Sequence, residues 1–256
     1  MLELINLKKS FGGIIATNQV DLEFPTGSLS AIIGPNGAGK TTIFNLISSQ
    51  LRASSGQILL NDSDLAGLNR SQIVRAGIVR AFQVASLFPS LTVIEAMIAT
   101  LNSHTHQSMK IWQPFRGSHI EDKALEILSI LELDKASNTL ISSLSHGDQK
   151  LLDIGLALAM EPKVLLLDEP TAGLGPQERW KMIEQIESIW KKLGITVIFI
   201  EHDMDIVFAT AQKIHVLVSG TVIASGTPEQ VRGNQKVIDA YLGSSLDEAP
   251  VLGAAS

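Results

Sequence analysis

The run Gly34-Pro35-Asn36-Gly37-Ala38-Gly39-Lys40-Thr41, followed by Thr42, places two glycines, a lysine and a hydroxyl at the spacing G-x-x-x-x-G-K-[ST]. Each residue type has a physical task there. The glycines let successive backbone amides turn inward around a phosphate. Lys40 brings a point charge to the β- and γ-phosphates of a nucleotide, and the Thr41 hydroxyl can ligate Mg²⁺. An apolar strand-like stretch, 29–33, precedes the loop and a helical stretch, 42–48, follows it. The helix therefore aims its positive end at the same phosphates.

Two acids, Asp168 and Glu169, close the apolar run 164–167. In an open α/β sheet the carboxyl ends of the strands face the ligand crevice. Beside a phosphate loop, Asp168 would hold Mg²⁺, directly or through water, and Glu169 would polarise an attacking water. Taken alone, the pair is equally a strand end meeting solvent. His202 follows a second apolar run, 195–200, on the same edge, where it could hydrogen-bond a γ-phosphate and that water; a lone histidine there is more often a surface or cap residue, and only the constellation raises it. In Leu144-Ser145-His146-Gly147-Asp148-Gln149, Ser145 and Gly147 open an apolar helix over 151–160. That start can bind an anion, although for the run read alone Ser145 or Asp148 as a plain helix cap is the better reading.

These side chains require a sheet whose strand ends converge. Residues 2–7 and 19–24 alternate, Pro25-Thr26-Gly27 turns the chain into 28–33, and 57–60 ends at Asn61-Asp62. These pieces predict an antiparallel sheet beside the nucleotide loop. Thr92 and Glu95 form a capping box for a helix running toward Leu101. Residues 102–118 read as a polar, irregular loop or insertion, and 120–133 carries Leu125, Leu128 and Leu131 at helical spacing. Strands over 163–167 and 195–200 bracket a helix from Pro176 to Leu193, stopped by Gly194. Residues 213–218 and 221–224 make a hairpin around Ser219-Gly220. Strands alternating with helices predict an α/β core with a parallel sheet.

In this order (phosphate loop, glutamine, Leu-Ser-x-Gly, Asp-Glu, His) the motifs resemble the nucleotide-binding subunit of ABC transporters over about residues 2–243. The resemblance implies an α/β P-loop NTPase core with a parallel sheet, an antiparallel β subdomain and a helical subdomain at about 84–160, followed by a tail at 244–256. It implies ATP as ligand with Mg²⁺, and hydrolysis of ATP. Phe11 resembles the aromatic that stacks on adenine, where the residues alone also allow a core Phe. Gln83 resembles the glutamine that senses Mg²⁺ and the water. Ser145 and Gly147 match the phosphate-contacting pair of the family's signature Leu-Ser-Gly-Gly-Gln, with His146 and Asp148 departing from it. The segment Ala172-Gly173-Leu174-Gly175 stands where the family has a dimer contact. In that family two cassettes pack head to tail, each ATP lying between one P-loop and the other signature. ATP then favours the closed pair over the open one.

Finer matches (Ser145-His146-Gly147, Pro170–Leu174 as Pro-Thr-Ala-Gly-Leu, Ile200-Glu201-His202-Asp203-Met204, and the ending through Tyr241-Leu242-Gly243) resemble the ATPases of branched-chain amino-acid uptake systems, a branch shared with urea and amide importers. The alternative is the ATPase of an export or lipopolysaccharide-extraction system, which shares the Tyr-Leu-Gly ending. The resemblance implies transmembrane permease subunits, a second ATPase subunit in a homo- or heterodimer, and a periplasmic binding protein acting indirectly. Next to Gln83, the segment 86–91 predicts either an apolar groove for a permease helix, through Phe88 and Leu91, or subdomain core.

With 256 residues, 45% of them hydrophobic and 18% charged, a packed core is expected. The net charge of −6 offers no basic footprint, so no nucleic acid is expected as a partner. There is no cysteine for a disulfide or thiolate metal site. No apolar run spans a bilayer, and Met1-Leu2-Glu3-Leu4 lacks the start of a signal peptide. The expected location is cytoplasmic, peripheral on the inner face of the cell membrane.

Overall fold

The computed structural model describes residues 1–81, 88–104 and 118–247. In chain order the elements are β1 (Leu2–Phe11), β2 (Ile14–Phe24), β3 (Leu29–Ile33), α1 (Lys40–Ile47), β4 (Ser55–Leu60), β5 (Ser63–Asp64), α2 (Arg70–Ala76), β6 (Ile78–Arg80), α3 (Val93–His104), α4 (Ser118–Ile130), α5 (His146–Leu158), β7 (Val164–Asp168), α6 (Pro176–Leu193), β8 (Thr196–Ile200), α7 (Met204–Thr210), β9 (Lys213–Val218), β10 (Thr221–Gly226), α8 (Pro228–Arg232) and α9 (Gln235–Asp247). They build two sheets. One has four antiparallel strands in the order β2-β1-β4-β5. The other has six strands in the order β10-β9-β3-β8-β7-β6, parallel except for the β10 edge.

The six-stranded sheet is buried on both faces, which is why β3 and β8 are apolar almost throughout. Side-chain alternation assigns each face a core. Leu29, Ala31, Ile33, Val197 and Phe199 point toward the helices. Ile32, Ile198 and Ile200 point the other way, onto α1 (Ile43, Phe44, Ile47) and the small sheet (Leu4, Val20, Phe24). Helix α1 is thus clamped between two sheets, and the loop that starts it is held at both ends. Helices α3, α4 and α5 pack on one another beside the first core. Among the described residues no helix is long and apolar enough to cross a membrane.

Several boundaries follow the local chemistry that predicts them. Thr92 N donates to Glu95 Oε2 at 2.8 Å ahead of α3. Helix α6 has Pro176 in its first turn and ends on left-handed Gly194. Others differ. Helix α3 continues through Asn102, Ser103 and His104, residues expected in a loop, because Leu101 and Asn102 still face the core. Leu128 and Leu131 are buried as expected, whereas Leu125 is exposed and Ala124 and Ile127 complete the buried stripe. Strand β6 ends at Arg80. Gln83 and most of the proposed insertion, 105–117, lie outside the described residues, as does the end of the tail, 248–256.

Candidate functional site

Strands β3, β8 and β7 are neighbours, paired so that Ile32 lies opposite Ile200 and Ile200 opposite Asp168. Their carboxyl ends therefore finish side by side, and whatever follows them shares one edge. The nucleotide loop follows β3, Glu201 and His202 follow β8, and Glu169 follows β7.

Two loop glycines are required by close backbone approach. A Cβ at Gly34 would stand 2.0 Å from Leu217 O, and one at Gly39 would stand 2.4 Å from Ala16 O. Both have positive φ, 152° and 101°, a conformation open to glycine. Lys40, 6% exposed, folds back over the loop, its Nζ donating to Gly34 O at 2.7 Å and Pro35 O at 3.0 Å. Burial lowers its pKa, opposed by the negative charges of Glu169 and Asp168. Asn36, Gly37, Ala38, Gly39, Thr41 and Thr42 line a cavity of about 210 Å³ that Glu169 and His202 also border. Gly34 and Pro35 lie beneath it as acceptors for Lys40.

Glu169 and His202 meet directly: Glu169 Oε1 is 2.9 Å from His202 Nε2. Glu169 has φ 49°, left-handed for a non-glycine residue, the kind of strain that collects at functional sites. Its main chain is fixed on both sides, with N donating to Ile200 O at 3.0 Å and O accepting from Lys150 Nζ at 3.2 Å. Asp168 is held by Arg80, whose Nη2 donates to Asp168 Oδ2. Thr41, Asp168 and Glu169 line a second cavity, of about 560 Å³, with Arg80, Lys150 and Ala172. A threonine hydroxyl and a carboxylate are hard oxygen donors suited to Mg²⁺, which takes one or two carboxylates and completes its shell with water and phosphate. The donor set fits that ion.

Phe11 is 46% exposed at the β1–β2 turn, which rules out the core alternative, and Lys9 Nζ lies 5.0 Å over its ring. Ala16, on the same hairpin, borders the nucleotide cavity. Ser145 and Gly147 are not brought to this cavity within the chain. Ser145 caps α5, accepting from Asp148 N at 3.1 Å and donating to Asp148 Oδ2 at 2.8 Å. His146 lies against the 172–175 segment, with Nε2 3.2 Å from where a Cβ at Gly173 would sit.

Three residues with structural work at this edge escaped the sequence reading. Glu201, 4% exposed, accepts from Thr171 N at 2.8 Å, Thr171 Oγ1 at 2.7 Å and His202 N at 3.2 Å, anchoring the loop after β7. Lys150 faces Glu201, Glu169 and Asp153, and burial lowers its pKa against their pull. Arg80 ties β6 to Asp168. The available signal was a charge placed against an apolar element: Glu201 immediately follows five buried strand residues. At the far end, Tyr241 of α9 reaches the Gly34 backbone, and burial raises its phenol to about 12.

A P-loop, two acids and a histidine on one edge of a parallel sheet flanked by a small antiparallel sheet define a nucleotide-hydrolysing cassette. The chain belongs to the ABC transporter family: the pattern described as "ABC transporter" matches residues 17–172. A second pattern, "Branched-chain amino acid ATP-binding cassette transporter", matches 221–247. The high-affinity branched-chain amino acid transport ATP-binding protein LivG of Escherichia coli K12 is 39% identical over 255 residues, covering 96% of this chain and 98% of the relative. The crystal structure of an ATP-binding cassette of an ABC transporter in its ADP conformation superposes with a TM-score of 0.84 at 31% identity, covering 95% of this chain and 98% of that one. A dimeric cassette in a post-hydrolysis state with ADP and Pi gives a TM-score of 0.73 at 27% identity, covering 89% and 99%.

Proposed function

We propose that this chain is the ATP-hydrolysing subunit of an importer for branched-chain amino acids, peripheral on the inner face of the membrane. The observation that carries the reading is the Glu169–His202 contact of 2.9 Å at the rim of the P-loop cavity. The amides of residues 36–42 and the Lys40 ammonium grip the phosphates of ATP, with Gly34 and Pro35 shaping the loop beneath them. Thr41, Asp168 and Gln83 would hold Mg²⁺, which when bound would supply charge neutralisation to those phosphates. Glu169 accepts the proton side of the attacking water, and His202 orients Glu169 and the γ-phosphate. Phe11 stacks on the adenine. Residues 1–243 act as one cassette with a helical subdomain at about 84–160, and 244–256 as a tail. Ser145, exposed on another part of the surface, and the half-buried Gly147 complete the site of a second cassette, a copy or a paralogue.

Coupling to permease subunits runs through a groove of about 440 Å³ lined by Val79, Phe88, Leu91, Ala96, Leu156 and Met160. Phe88 is 51% exposed there, which supports the groove reading for that residue, while Leu91 packs partly into the core. A short amphipathic helix fits such a site. A periplasmic binding protein acts only through the permease. The match at 221–247 and the LivG likeness favour import over the export reading, although both share the Tyr241-Leu242-Gly243 ending.

The test is uptake of labelled leucine, isoleucine and valine in cells that lack this chain and are complemented with wild type or Glu169→Gln. Uptake should be lost on deletion, return with wild type, and stay absent with the variant. Undiminished uptake in the deleted cells contradicts the assignment of solute.

A further inference from the structure

We propose that Arg80 is the positioning residue for Asp168: its guanidinium holds the carboxylate in the orientation that receives Mg²⁺. The inference rests on the reading of Asp168 as a metal ligand.

The guanidinium is fixed from three directions. Nη1 donates to Asn45 Oδ1 at 2.6 Å, Nη2 donates to Asp168 Oδ2, and the group lies 5.7 Å over the Phe44 ring. Its side chain is 10% exposed, and that of Asp168 is 21% exposed. Asn45 and Phe44 belong to α1, the helix that the P-loop opens, so one planar fork locks the phosphate-binding helix to the carboxylate at the end of β7. A carboxylate has about four lone-pair sites, and the bond from Arg80 occupies one oxygen. Asp168 itself lines the cavity shared with Thr41 and Glu169, where the other oxygen can serve a cation. Groups that hydrogen-bond a ligating carboxylate set its direction, and losing them typically costs 10–100-fold in metal affinity. Arg80 also borders the apolar groove beside Phe88 and Leu91. The residue that aims Asp168 therefore stands in the wall between the metal cavity and that groove.

In the opposite role the cation of Arg80 holds Asp168 away from the metal. The two roles predict opposite signs. Lysine keeps the charge but cannot span two acceptors with a planar fork, so Arg80→Lys separates orientation from charge.

The experiment measures binding of a fluorescent, non-hydrolysable ATP analogue to the full chain, first in EDTA and then through a Mg²⁺ titration. Wild type, Arg80→Met, Arg80→Lys, Asn45→Ala and Asp168→Asn are compared, with thermal melting alongside. In Arg80→Met the Mg²⁺ midpoint should rise ~10–100-fold, while affinity in EDTA stays within about twofold. Arg80→Lys should shift the midpoint the same way by a smaller factor. Asn45→Ala, which keeps Arg80 but frees one prong, should do so as well, and it carries the test if Arg80→Met does not fold. If Asp168→Asn moves the midpoint but the Arg80 and Asn45 variants leave it unchanged or lower it, Arg80 does not position the ligand. If Asp168→Asn itself leaves the midpoint unmoved, the reading of Asp168 as a ligand fails, and this proposal with it.

Discussion

The P-loop and the start of α5 both present backbone amides at a helix N-terminus, yet they are built differently. The P-loop is over-determined: Gly34 is pressed against Leu217 O, Gly39 against Ala16 O, and Lys40 is folded onto two loop carbonyls. The start of α5 is a local cap in which Ser145 and Asp148 satisfy each other. Among the described residues no side-chain hydrogen bond from elsewhere in the chain fixes Ser145. The difference teaches that one region is shaped for its ligand by this chain alone. The other is an ordinary helix start whose further use depends on what is brought to it.

Glu169→Gln probes the first region hardest. Removing a positioned acid–base group should slow turnover by ~10²–10⁴ while ATP binding persists, and ATP should then trap a dimer visible by sedimentation. Turnover at the wild-type rate would move the water-activating role off Glu169 and dissolve the contrast between the two edges.

Ser145→Ala probes the second region. Loss of the cap should lower stability by about 1 kcal/mol, read by denaturant titration. If Ser145 also donates to a phosphate held by another cassette, hydrolysis should fall ~10²-fold, the usual worth of one preorganised donor. Nucleotide affinity of the isolated chain should stay at the wild-type value. A weakened affinity in the isolated chain would mean that Ser145 serves its own P-loop, against the separation described above.

A pH effect on stability alone lies outside both regions and calibrates them. His215, 1% exposed on β9, meets Phe24 edge-on with ring centroids 4.9 Å apart. Burial lowers its pKa from 6.5 to about 3, with Lys213 adding to the shift. The folded-state value is depressed, so the unfolded chain takes up a proton that the fold refuses. Stability is intact above pH 6.5 and falls as pH drops toward 3, by about 2 kcal/mol at pH 5. His215→Gln should flatten the dependence of melting temperature on pH between 7 and 5, and an unchanged slope would place the titration elsewhere.

What could be read from the residues was whatever chemistry is local. The phosphate loop between a strand and a helix, the Thr92–Glu95 box, Pro176 and Gly194 at the ends of α6, and the Ser219-Gly220 turn are each specified within a few residues. What escaped is set by contacts distant in sequence. Arg80 meets Asn45 and Asp168 from 35 and 88 positions away, and Glu201 meets Thr171 across 30. Spacing within a segment carries no trace of such pairs. Leu125 shows the limit within one helix: leucine spacing suggested the buried stripe, but small Ala124 takes the tight position and Leu125 turns to solvent. At α5 the cap and the anion-binding start use the same Ser145 geometry, so residues alone could not separate them.

The central claim is that this chain binds ATP with its own P-loop edge and needs the α5 start of a second cassette to hydrolyse it. It is tested most directly by measuring ATP affinity and turnover per chain across protein concentrations, with sedimentation reporting association at each. The account predicts an affinity independent of concentration and a turnover that is negligible while the chain is monomeric and climbs as cassettes pair. Full turnover per chain in the monomeric range would contradict it.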